Sequence, residues 1–207
     1  MENDYIIRLE TESDYRESEN LTREAFWNVY RPGCLEHYVL HLFRNDPAFV
    51  PELAFVMEKD GRLIGHVMYA RSEILADDGR HIPVMTFGPI SIAPEYKRRG
   101  YGTVLLRHSM DAAEKMGAGA LAITGNIDFY GLSGFVTAST MGVHYYAEPR
   151  DAEVPYFLIC ELKPGFLQGI SGTYRDPEGY FVDEALAEAF DAQFPKKEKL
   201  RLPGQLE

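Results

Sequence analysis

The sequence predicts an α+β protein (an α/β mixed sheet): a central, mostly antiparallel sheet with one parallel strand pair, flanked by helices and followed by a C-terminal extension. Three observations carry this. The chain has 207 residues, 45% hydrophobic and 26% charged, the composition of an ordinary globular domain. Two apolar runs meet at Asp60-Gly61, the strongest short hairpin signal. A helical pattern over 100–116 leads directly into the apolar ALAIT of 120–124, the strand–helix–strand order that makes a parallel pair.

The elements follow in order. YIIRL, 5–9, reads as a short strand. Thr11 and Ser13 are N-cap candidates for a helix to about Tyr30, stopped by Pro32-Gly33, and a second helix fits 35–44. Residues 53–74 form the hairpin about Asp60-Gly61, and a turn at Asp77-Asp78-Gly79 leads to a third strand, 82–92. In the helix of 100–116, Leu105, Leu106, Ser109, Met110, Ala113 and Met116 share one face; Arg107, Asp111, Glu114 and Lys115 share another, and Gly117 caps it. A short helical turn over 127–133, a break at Gly134-Phe135, and strands near Val143 and over 156–162 complete a domain of residues 1–163. The extension, 164–207, is Gly/Tyr-rich, then helical over about 182–194, and is expected to pack on that domain.

Composition also excludes functions. No apolar run approaches the roughly 18 residues of a membrane span, and Met1-Glu2-Asn3-Asp4 lacks a secretory signal's apolar core. Cys34 and Cys160 have no metal-ligand spacing and fit a reducing cytoplasm. The formal charge of −11 repels nucleic acid and anionic lipid, so neither is an expected partner, and any anionic ligand needs a local feature that overrides the global sign.

That feature is ISIAPEYKRRGYGTVLLR, 90–107. A strand ends at Ile92, Pro94 terminates pairing, and a helix begins at the glycines. A helix start has unbonded N–H groups and favours negative charge. Gly100 and Gly102 let a phosphate approach the backbone, and Lys97, Arg98 and Arg99 place cations in the loop. The pattern describes a pyrophosphate cradle. A P-loop motif is missing, and the dinucleotide fingerprint would need glycine where Leu105 stands.

The string Ile92-Ala93-Pro94-Glu95-Tyr96-Lys97-Arg98-Arg99-Gly100-Tyr101-Gly102, followed by Leu105-Leu106, resembles the acetyl-CoA signature of the GNAT (general-control-related N-acetyltransferase) superfamily, [V/I]-x-P-x-[Y/H]-[Q/R]-x-x-G-x-G/A. Tyr130-Gly131-Leu132-Ser133-Gly134-Phe135 is similar to the family's downstream Y-x-x-x-G-F, and the likeness covers roughly 5–162. FGPISIAP before the loop looks most like the bacterial predicted-acetyltransferase branch. The resemblance implies the GNAT-like acyl-CoA N-acyltransferase fold, with acetyl-CoA as cosubstrate and no metal. It implies direct attack of a primary amine, of a small molecule or peptide, on the thioester. The strand Ile90, Ser91 and Ile92 would line the pantetheine arm, with Ile90 and Ile92 offering backbone groups. Lys97 would bind the cofactor from the same loop, and the N–H groups of Arg98, Arg99, Gly100, Tyr101, Gly102 and Thr103 would hold the pyrophosphate. Asn126 would contact the cofactor or the helix above it, and Tyr130 would protonate the departing thiolate. Neither cysteine is implied as a nucleophile.

Two departures matter. Lys97 keeps the charge of the usual Gln/Arg position but loses its forked hydrogen bonding. Gly88 stands where related enzymes often carry a glutamate base; His66, Glu73 and Asp128 are substitutes, each read first as a structural or solvated residue. The competing reading is a non-catalytic acyl-CoA-binding sensor or regulatory module. His37 and His41 have i, i+4 spacing, read as a surface face rather than a metal pair, and Tyr5, Tyr15, Trp27, Tyr30, Tyr38 and Phe43 are read as core packing. The protein is expected to be cytoplasmic, a monomer or homodimer.

Overall fold

Alternating apolar residues on either side of tight turns build the strands of this protein. A computed structural model describes residues 4–205; Met1, Glu2 and Asn3, on which part of the leader reading rests, lie outside the described residues. The described chain forms two compact units, one of residues 4–68, Pro89–Leu105 and 178–205, the other of Tyr69–Gly88 and Leu106–Pro177.

In the first unit, β1 (Ile6–Leu9) pairs antiparallel with β2 (Phe55–Lys59), Leu9 opposite Phe55, and β2 pairs antiparallel with the start of β3 (Arg62–Ala76), Phe55 opposite Val67. Asp60 and Gly61 take φ of 51° and 72°, the doubly left-handed turn that joins strands without splaying them. Helix α1 (Tyr15–Phe26) follows a 3₁₀ turn, Glu12–Asp14, in which Asp14 accepts from the Thr11 N–H at 2.8 Å. The helix ends at Phe26 rather than near Tyr30, because Trp27 leaves helical space (ψ 121°) and Asn28 is left-handed (φ 59°). Helix α2 (Glu36–Phe43) and α5 (Glu184–Asp191) share a core of Tyr38, Ala187, Phe190 and Phe194.

Two sequence expectations are corrected here. His37 and His41 do not form one surface face: His37 is fully buried, its Nε2 3.1 Å from Asp191 Oδ1, whereas His41 is partly exposed and pairs with Glu19 at 2.9 Å. A residue more than 150 positions away in sequence buries the first histidine. Of the aromatics, Tyr38 and Phe43 are core, but Tyr30 is 45% exposed.

In the second unit the strand order is β3–β4–β5–β8–β6, with β4 (His81–Ile92), β5 (Ala120–Thr124), β6 (Val136–Thr137) and β8 (Phe157–Glu161). The expected parallel pair is β4/β5, registered at Met85 opposite Leu121. Helix α3 (Tyr101–Lys115) connects them; Leu105, Leu106, Ser109, Met110 and Ala113 are buried as its pattern predicts, while Met116, past its end, is exposed. The strand expected near Val143 is β7 (Val143–Tyr145); it pairs parallel with a strand the sequence did not show, β9 (Gly172–Tyr174), which pairs antiparallel with the end of β3. Ile74, Val84, Ala122, Val143, Phe157, Ile159 and Tyr174 meet in this unit's core.

In the first unit a buried ion pair ties α5 to α1. Arg23, 1% exposed, donates from Nε to Asp191 Oδ1 at 2.5 Å and from Nη2 to Asp191 Oδ2 at 3.2 Å. Removing one member of such a pair leaves a buried, uncompensated charge, a loss of about 3–5 kcal/mol. Asp191→Ala is therefore expected to lower the unfolding free energy by about that amount in urea denaturation. A loss no larger than an exposed pair's, about 1 kcal/mol or less, would mean that Arg23 finds another anion.

Candidate active site

The strand-to-helix junction after β4, in the first unit, is one candidate element. The Ala93 N–H donates to Ile64 O at 2.9 Å, and Pro94–Tyr96 make one 3₁₀ turn. The backbone then takes positive φ at Arg98 (60°) and at Gly100 (87°), on either side of Arg99. Alternation of this kind turns successive N–H groups to one side, as in anion-binding nests. The first bond of α3 is Val104 N–H to Gly100 O, 3.1 Å, so Tyr101, Gly102 and Thr103 have N–H groups with no helical carbonyl to receive them. A Cβ built at Gly100 meets nothing within 4 Å, so the loop is uncrowded at that position. Open backbone donors at a helix's positive end are the chemistry a pyrophosphate needs.

The loop's cations diverge. Lys97 Nζ donates to Ala25 O, near the end of α1, at 2.5 Å, and burial lowers its pKa below the ordinary lysine value. The guanidinium carbon of Arg99 sits 5.7 Å from the ring centroid of Tyr96. Tyr101 packs edge-on against Tyr5 (5.9 Å) and Tyr96 (5.8 Å). Arg98 is exposed, with no side-chain hydrogen bond or ion pair to another described residue.

Upstream, Ser91 is 1% exposed and its hydroxyl donates to Thr22 Oγ1 at 2.9 Å, which commits the side chain to α1. Ile90 and Ile92 are half-buried. Burial along β4 alternates through Ile82, Val84 and Thr86, then reverses phase to Phe87, Pro89, Ser91 and Ala93. Gly88, within that irregular stretch, has φ 139°, a conformation that L side chains rarely adopt. The strand position of the usual glutamate is therefore shaped for glycine.

A separate candidate element, in the second unit, lies beyond β5. The Gly125 N–H donates to Tyr156 O at 2.7 Å, and Asn126 Oδ1 accepts the Asp128 N–H at 2.9 Å, capping α4 (Ile127–Tyr130). The side chain of Asn126 thus orients α4. Tyr130, half-buried at the helix end, packs against Phe87 (5.8 Å), Phe129 (4.8 Å) and Phe135 (5.6 Å), and a Cβ at Gly125 would collide with its ring. Behind it lies a group the sequence did not reveal. Tyr69, fully buried, packs tilted against Phe87 at 5.2 Å and hydrogen-bonds Ser109 Oγ at 2.9 Å. Because Ser109 donates to Leu106 O, the Tyr69 hydroxyl is the donor to Ser109.

The substitute bases lie in other settings. His66 is fully buried, with Nε2 3.3 Å from Glu10 Oε1 and no hydrogen bond to either ring nitrogen. Glu73 is exposed and pairs with His81 at 2.7 Å; Asp128 is exposed at the start of α4. Burial raises the pKa of both cysteine thiols, with nearby carboxylates adding to the effect, so neither is a thiolate nucleophile at neutral pH. Among the described residues no group of three or more His, Cys, Asp or Glu could hold a metal ion, and no helix is long and apolar enough to cross a membrane.

The profile described as "Acetyltransferase (GNAT) family" matches residues 9–135, more than half of the chain. The chain belongs to the GNAT acetyltransferase family. Among solved GNAT structures, its fold is similar to YhbS from Escherichia coli in complex with CoA, with a TM-score of 0.73 and 21% identity over 86% of this chain and 92% of that one. It is also similar to a GNAT family acetyltransferase from Brucella melitensis in complex with acetyl-CoA, with a TM-score of 0.67 and 22% identity over 86% and 98%. The uncharacterized N-acetyltransferase YjhQ of E. coli strain K12 is 25% identical over 92 residues, 44% of this chain and 50% of that protein; the match spans about half the length of that curated relative. The GNAT match includes both the cradle loop and Tyr130.

The conformation of Gly88 makes its own test. Gly88→Glu, which would restore the familiar carboxylate, is expected to cost about 1–3 kcal/mol of stability through backbone strain, read in urea denaturation. An unchanged midpoint and slope would show that this strand adapts to a side chain at no cost.

Proposed function

We propose that this protein transfers the acetyl group of acetyl-CoA to a primary amine of a small molecule or peptide by direct attack. The observation that carries the reading is the cradle. In a chain of charge −11, residues 98–103 combine left-handed backbone, N–H groups at the start of α3 that no helical carbonyl receives, and an exposed Arg98. The backbone N–H groups of Arg98, Arg99, Gly100, Tyr101, Gly102 and Thr103 would hold the pyrophosphate, and Ile90 and Ile92 would offer backbone to the pantetheine arm. Bound acetyl-CoA supplies an activated thioester. Tyr130, held by its aromatic neighbours, gives its hydroxyl proton to the sulfur as the C–S bond breaks. The attacking amine arrives neutral; as its C–N bond forms it sheds a proton to solvent, and solvent returns one to the Tyr130 phenolate. The acceptor is proposed only as an amine, and the protein is read as acting without nucleic acid or membrane.

Gly88 favours one second reading, a non-catalytic acyl-CoA-binding module, because it removes the expected base. Release of free CoA from acetyl-CoA in the presence of mixed amines separates the two.

Binding comes first. Acetyl-CoA at a hundredfold excess over its dissociation constant is expected to stabilise the fold by about 2.7 kcal/mol, seen as a rise of several degrees in Tm. No shift at millimolar ligand would remove both readings. For catalysis, Tyr130→Phe keeps the ring packing and deletes the hydroxyl. A positioned acid contributes about 10²–10⁴-fold, so kcat should fall by that factor with acetyl-CoA affinity and Tm nearly unchanged. Turnover above about half of wild type, with chemistry rate-limiting, would exclude a contribution of this size.

A further inference from the structure

Residues 195–205 lie outside the 9–135 family match, yet their polar groups converge on one place, the end of α1. Glu198 O accepts from Trp27 Nε1 at 2.9 Å and from Asn28 Nδ2 at 3.0 Å. The Leu200 N–H donates to Asn28 Oδ1 at 3.1 Å, and Gln205 Nε2 donates to Asn28 O at 3.0 Å. Asn28 also closes the loop after the helix: its Oδ1 accepts the Gly33 N–H and its own N–H donates to Gly33 O, each at 2.8 Å. All of the polar groups of Asn28, backbone and side chain, are thus engaged, and its φ of 59° is one that asparagine tolerates better than most residues. One turn back, the helix carbonyl of Ala25 receives Lys97, the residue that opens the cradle loop.

We propose that Asn28 and Lys97 are positioning residues for the cofactor cradle: the C-terminal segment, acting through Asn28, sets where α1 ends, and Lys97 hangs residues 98–103 from that end. The proposal rests on the reading of 98–103 as the CoA cradle. It gives the neighbouring cations different work. Lys97 caps the last turn of α1, as lysines at helix C-termini do, and acts on the ligand only through the loop. Arg98, exposed and without a side-chain partner among the described residues, is the cation left to meet phosphate.

Calorimetric titration of CoA into the full-length protein and its variants tests this. Asn28→Gly keeps access to φ near 59°, changes no charge and deletes the side-chain hydrogen bonds. It is expected to weaken CoA binding by about fivefold or more, although nothing near the cradle has been replaced. Residues acting in series do not add, so Asn28→Gly with Lys97→Met should bind within about twofold of Lys97→Met alone. Asn28→Gly with Arg98→Met should instead show the product of the single losses. Lys97→Arg, which can still reach a carbonyl, should recover most of the affinity lost in Lys97→Met. If Asn28→Gly fails to fold, Gln205→Ala removes a single bond of the same set and should shift affinity in the same direction by less. CoA affinity unchanged in Asn28→Gly or Gln205→Ala, with only Tm lowered, would overturn the proposal. A product of single losses for Asn28→Gly with Lys97→Met would overturn it equally. A wild-type protein that does not bind CoA would remove the cradle reading itself, an outcome distinct from a wild type that binds with an indifferent Asn28→Gly.

Discussion

In a strand, successive side chains face opposite sides, so one irregular step reassigns every residue beyond it. The middle of β4 takes such a step. Before it, Ile82 and Val84 face the core of the second unit; after it, Ser91 is buried with its hydroxyl on Thr22 of α1. Gly88, with its positive φ, and Pro89, with no N–H to give, lie in the stretch where the phase changes. The strand thereby serves a different core at each end and delivers Ile92 to the turn from which the cradle starts. The same step accounts for the missing strand carboxylate: the backbone that redirects the strand admits a side chain poorly.

Electrostatics imposes the second constraint. A chain of charge −11 attracts an anion only where fixed dipoles act at short range, within the roughly 8 Å over which charge is felt at physiological salt. Side-chain cations alone would serve poorly, since Lys97 is engaged by Ala25 O and Arg99 lies near Tyr96. Backbone N–H groups cannot be drawn off in this way. They are held by the turn at Arg98 and Gly100 and by the start of α3, which makes the geometry of the loop more consequential than its lysine and arginine count.

Much of this was legible in the sequence because the signals were local. Asp60-Gly61 adopts the turn its residues favour, the buried face of α3 follows its apolar spacing, and the two glycine-bearing motifs mark the family. What was not legible depends on partners far away in the chain. Helix α1 stops at Phe26 because Asn28 is held by residues 198–205; His37 is buried because Asp191 and Phe190 arrive on α5. Strand β9 is three residues long, too short for alternation to declare it, and only its pairing with β3 and β7 defines it. The bond from Lys97 to the carbonyl of Ala25, 72 residues away in sequence, is another contact that no local signal announces. Residues 164–205 are divided in their attachments: 164–177, with β9, lie in the second unit, and 178–205, with α5 and its tail, in the first.

Cys34 and Cys160 are each 7% exposed, with thiol pKa values raised by burial. Disulfide reagents that count free thiols act on thiolate, which native Cys34 and Cys160 scarcely present. A colorimetric assay with such a reagent would therefore record liberated CoA against a quiet protein background, with no cysteine replaced beforehand. The signal would gain a slow protein contribution only as the fold opened, so the same trace would report turnover early and unfolding late.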